Sequence, residues 1–165
     1  MDTKDPTTRE LTDQEKEKIG QSEREATVLY EGKVVEHHSC GASVAITFGR
    51  HAGPYQSLRR GGITGKRFCG SLRAGEMVLG ELLGDDSPTA KVTDALRAAT
   101  IWYQAQIPKR FNASSKDDYV CNHLTQDLGD FFGGNRKTYC TELTGKVAAL
   151  TTEALIRFTP TSKDF

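Results

Sequence analysis

No stretch of this 165-residue chain approaches the roughly 18 consecutive apolar residues that a membrane-spanning helix needs, so no membrane partner is expected. The opening MDTKDPTTRELTDQEKEK carries no apolar segment of the signal-peptide kind, which points to a cytoplasmic location. Cysteine is sparse: four residues, far too few for a disulfide-stapled secreted scaffold. No two of them form CxxC, so neither a thioredoxin-type dithiol nor a zinc ribbon is supported, and the lack of CxxCH removes covalent c-type haem. Net charge is also missing. The 22 basic and 22 acidic residues cancel, which argues against nucleic acid as a partner. There is no repeat of solenoid length and no convincing period-two strand.

What is present reads as helix. The length suits a single domain over 1–165, able to bury about 70% of its unfolded surface. Residues 1–9 read as a loose tail, and 10–36 as a highly charged N-terminal helix. Thr12 and Glu15 form a capping box at its start, and Ile19, Ala26, Tyr30 and Val34 mark a narrow apolar seam. Residues 37–158 then hold all four cysteines. Ser39 caps a short helix from Cys40 that Gly49 ends. A long loop over 50–68, rich in glycine, leads into a helix from Cys69 to Leu83. Ser87–Pro88 signals the next helix, which carries Leu96, Ala99, Trp102 and Tyr103 and stops before Pro108. Beyond a polar connector at 109–118, one helix runs from Cys121 to Gly133–Gly134 and a last one from Cys140 to Pro160. The expected architecture is all-α, a compact bundle of about five to six helices with a long Gly-rich loop.

The cysteines stand far apart, with 28, 51 and 18 residues between neighbours, yet their settings match. Cys40, Cys69, Cys121 and Cys140 each open a helix, and each lies on that helix's apolar stripe. Four inward thiols at four helix starts converge easily at one end of a bundle, where N-terminal dipoles favour thiolate. Such a set suits an iron–sulfur cluster, an all-cysteine zinc site that stabilises an interaction module, or thiol–disulfide redox chemistry without metal. Buried cysteines also serve as inert small hydrophobes. His38 and His51 are the histidines best placed to replace a cysteine in a mixed ligand set.

At these residues the chain resembles the small redox-active family named for its cysteine pattern, C_GCAxxG_C_C. Cys40-Gly41-Ala42-Ser43-Val44 resembles the family's first cysteine segment, and Gly61–Gly75 followed by Met77–Gly80 resembles its glycine loop and second cysteine. Cys121 with Leu124-Thr125, and Cys140 in YCTELTGKVA, resemble the last two. The likeness covers about 35–158. Ser71 stands where the pattern has alanine, and its glycine comes one place late, at Gly75. The family is similar to the C-terminal part of split-Soret cytochrome c. The resemblance implies an iron–sulfur cluster held by Cys40, Cys69, Cys121 and Cys140, electron transfer, and a redox partner protein.

RRGGITGKR fails as a P-loop, because Arg60 takes a glycine position and Arg67 the magnesium-binding hydroxyl position. Gly61, Gly62, Gly65 and Gly70 are instead expected to let the backbone cover the cysteines and donate N–H···S bonds. Glu76, seven residues after Cys69 on the same helix face, is the one carboxylate placed to move protons there, with a solvated edge position as the plainer reading. The charged N-terminal arm is a candidate for crossing to a second subunit in a homodimer.

Overall fold

The computed structural model describes residues 5–112 and 118–160. Among them are seven α-helices and no named strand: α1 Asp13–Glu31, α2 Cys40–Thr47, α3 Arg59–Gly62, α4 Gly70–Leu83, α5 Asp94–Arg110, α6 Cys121–Thr125 and α7 Gly134–Phe158. The all-α expectation therefore holds. None of these helices is long and apolar enough to cross a membrane.

α7 is the axis of the bundle, with α1, α2, α4 and α5 packed around it. Its buried side chains Leu143, Val147, Leu150, Ala154 and Leu155 meet Val44 of α2, Leu72, Val78 and Leu79 of α4, and Tyr103 of α5. A wholly buried Leu or Val contributes about 1.5–3 kcal/mol, so these few positions dominate the apolar stabilisation. The Tyr103 hydroxyl donates to the Leu72 carbonyl at 3.0 Å, which lets a phenol sit in this core.

Several boundaries move, each for a local reason. α1 starts as expected: Thr12 accepts from the Glu15 N–H, and the Glu15 carboxylate accepts from the Thr12 N–H. It ends early because Gly32 adopts φ 72° as a left-handed cap, so Val34 leaves the seam and is exposed. The start expected at Ser87–Pro88 is instead a turn, with the Ser87 N–H on Asp85 Oδ1 at 2.8 Å. α5 begins after Thr93, whose hydroxyl accepts from the Leu96 N–H and donates to the Leu83 carbonyl at 2.6 Å, a bond back to the end of α4. It also runs through Pro108 to Arg110, since the carbonyl that the proline leaves free belongs to exposed Gln104.

The helix expected from Cys121 to Phe132 stops at Thr125 and is followed by a 3-10 turn, Gln126–Leu128, that Gly129 closes at φ 83°. Gly133, expected to end that helix, is the extended N-cap of α7 (φ −70°, ψ 153°). The long loop over 50–68 is in part ordered, as a 3-10 segment Gly53–Leu58 and the single turn of α3.

Residues 5–9 are not loose, while 1–4 and 113–117 lie outside the described residues. Arg9 grips Glu15 at 2.7 and 2.9 Å and reaches the Ile156 carbonyl at 3.3 Å, and Arg157 donates to the Pro6 and Arg9 carbonyls. This clasp holds the Glu15 carboxyl down at about 2 from an ordinary 4.5, chiefly through the Arg9 bond. A depressed carboxyl contributes stability that is complete above its unfolded pKa and is lost as pH falls toward the folded one. Thermal unfolding should therefore show a loss between about pH 4.5 and pH 2 that is smaller in Glu15→Gln, with the variant less stable than the parent at neutral pH.

Candidate functional site

The four cysteines reach one cavity of about 750 Å³. Cys40 is the first residue of α2, and its sulfur faces the backbone N–H groups of Gly41 and Arg60 and the Ser71 hydroxyl. Cys69 is the N-cap of α4, beside the N–H groups of Ser71 and Leu72 in the first turn. Cys121 opens α6. Cys140 breaks the expected pattern. It lies in the second turn of α7, because that helix starts at Gly134, and it faces the Tyr30 hydroxyl of α1 in place of its own helix end.

Backbone pairing joins two of these segments. Phe68 and Val120 form an isolated antiparallel bridge. Around it the Cys69 N–H donates to the Tyr119 carbonyl at 2.8 Å, the Cys121 N–H to Arg67 at 2.9 Å and the Asn122 N–H to Gly65 at 2.9 Å. Cys69 and Cys121 are thus held by main chain. Two glycines make the approach possible. Gly61 sits at φ 58°, where an added Cβ would lie 2.4 Å from the Cys121 Cβ. A Cβ on Gly70 would lie 2.2 Å from the Leu58 carbonyl oxygen and 2.9 Å from the Cys40 sulfur. Of the four glycines expected at the site, Gly70 lines the cavity, and Gly61, Gly62 and Gly65 stand behind it against Cys121, Arg67 and Asn122. The N–H···S contact expected of the loop comes from Arg60, whose backbone is left-handed (φ 51°).

The histidines sort differently. Neither His38 nor His51 lines the cavity. The His38 Nδ1 is buried without a partner, and the exposed His51 ring accepts from the Gly53 N–H. His37 does line the cavity, its Nδ1 against the Tyr30 carbonyl. Glu76 lies elsewhere, in a separate cleft of about 260 Å³, bound by Arg73 and by the Gln104 amide at 3.0 Å.

All four thiols are free. Burial pushes every one of them up and outweighs the helix N–H groups that favour thiolate. The expected helix-start thiolate is therefore a neutral thiol, unlike the lowered, partly exposed thiols that react with disulfides.

The feature absent from the sequence reading is Arg136. It is 9% exposed, its Nη2 donates to the Cys121 sulfur at 3.5 Å, and its guanidinium lies 3.7 Å from the centre of the Phe131 ring. Among the described residues it has no carboxylate partner. A buried cation beside neutral thiols lacks its counter-charge.

Among the described residues no group of three or more His, Cys, Asp or Glu is arranged to hold one metal ion. A tetrahedral Zn²⁺ would draw its thiolates to about 3.8 Å from one another. All four cysteines line the one cavity described above. Compared with protein-family models, curated proteins and solved structures, the chain matches none, so the resemblance to the four-cysteine family rests on the residues that carry it.

Two glycines of α4 should respond in opposite ways. Gly70→Ala should cost about 1–3 kcal/mol in urea unfolding, because backbone blocks the new methyl. Gly80→Ala, with nothing within 4 Å of its added Cβ, should gain about 0.5–1 kcal/mol.

Proposed function

We propose that the protein is an iron–sulfur redox protein, with Cys40, Cys69, Cys121 and Cys140 as cluster ligands. The observation that carries this reading is the composition of one cavity: four neutral thiols and a buried arginine without a carboxylate. When bound, a cluster of this kind supplies one-electron redox chemistry. The chain's own groups set its environment. The N–H groups of Arg60, Gly41, Ser71 and Leu72 and the Arg136 guanidinium face the sulfurs, which favours the more negative, reduced state and raises the potential. Buried side chains around Cys69 limit access of water. The reducing cytoplasm, where free thiols persist, is the fitting location, and the electrons imply a redox partner protein.

Protein purified without oxygen should be brown and hold about two to four iron and sulfide per chain. Serine in place of any one of the four cysteines should lower the iron content several-fold. Arg136→Gln, with iron retained, should show a more negative reduction potential by voltammetry. Colourless, iron-free protein in which these cysteines form intramolecular disulfides would instead support the metal-free thiol–disulfide reading.

A further inference from the structure

We propose that the mouth of the cysteine cavity is the docking face for an acidic electron-carrier protein. Its role in electron transfer rests on the cluster reading above. The docking itself rests on charge and exposure.

Four cations line the cavity and its rim, Arg59, Arg60, Arg136 and Lys137, and no aspartate or glutamate joins them. Arg59, Arg60 and Lys137 are exposed, and none of the four pairs with a carboxylate among the described residues. This positive rim stands out in a chain with no net charge. With those four set aside, 18 basic residues face 22 acidic ones over the rest of the molecule.

Two large apolar side chains share the rim. Phe132 is 94% exposed and Ile63 58%. Ile63 is held at φ 68°, a left-handed conformation that a β-branched residue rarely adopts, and its N–H is tied to the Arg59 carbonyl at 2.6 Å. Phe131 is clamped between Arg60 at 4.0 Å and Arg136 at 3.7 Å, which anchors the chain next to Phe132. Exposed aromatic and aliphatic groups beside like charges at one cavity mouth have the make-up of a protein-docking face.

The charge selects the occupant. A second copy would set four cations against four, so a symmetric homodimer through this face is disfavoured. An extended polyanion such as nucleic acid would meet the negative remainder of the surface. A compact protein with a carboxylate patch around a small apolar centre matches the rim, and paired rim charges mainly raise the rate of encounter. With a cluster held by Cys40, Cys69, Cys121 and Cys140, each encounter would pass one electron between it and the carrier's cofactor, one losing what the other gains.

The test titrates this protein, metal-free and cluster-loaded, into fluorescently labelled flavodoxin as the acidic carrier and labelled cytochrome c as the basic one. Both are run at about 50 and 500 mM salt. Flavodoxin should bind, with affinity falling at least ten-fold across that range, and cytochrome c should not. The double variant Arg59→Glu, Lys137→Glu should weaken binding at least ten-fold and Phe132→Ser about three-fold, while Lys16→Glu, Arg24→Glu on α1 leaves it unchanged. Equal binding of both carriers, no salt dependence, or tighter binding of phosphatidylserine vesicles or of a single-stranded oligonucleotide overturns the proposal. Iron is measured on every sample. Colourless protein that binds flavodoxin removes the cluster and keeps the docking face; brown protein that fails to bind it removes the docking face alone.

Discussion

Arg136 is only 9% exposed, and a cation so placed must meet negative charge; among the described residues its side chain meets the Cys121 thiol and the face of the Phe131 ring. Around it stand three more thiols, all driven to the neutral form by burial. Neutral thiols cannot compensate it. Four thiolates around a cluster would, and their own cost of burial would fall in return. The fold brings these groups together from five separate places: α1 through Tyr30, α2, the start of α4, α6 and the first turns of α7.

Holding an uncompensated site open requires rigid walls. The main-chain bridge at Phe68 and Val120 supplies one, since hydrogen bonds between backbones leave Cys69 and Cys121 little freedom to shift. α7 supplies another, because its C-terminal half is the core of the bundle while its first turns carry Arg136 and Cys140. Stability and site therefore share one helix. α1, the charged helix offered as an arm toward a second subunit, packs along α7, and its Tyr30 hydroxyl faces Cys140.

The fold class and the meeting of the cysteines were legible in the sequence because both rest on local signals. The Thr12–Glu15 capping box and the Cys40–Val44 stripe are complete within a few residues. Where tertiary contacts decide, the reading failed. Gly133–Gly134 can end a helix or begin one, and the left-handed turn at Gly129 settled it two turns ahead of Cys140. Thr93 displaced Ser87–Pro88 through a bond to Leu83, which no local pattern shows. Arg136 sits in the polar run GGNRKT, where every local rule predicts an exposed side chain. Its burial comes from Phe131 and Cys121, both brought in by the fold.

The central claim is that this cavity is built to hold negative charge. Urea unfolding of metal-free Arg136→Met, set beside the metal-free parent, tests it most directly. Replacing an uncompensated buried charge with an apolar chain should leave stability within about 1 kcal/mol of the parent or raise it, while the variant takes up iron more weakly. A loss of about 3–5 kcal/mol in the metal-free variant would show that Arg136 already has its partner in the fold, and would contradict the account.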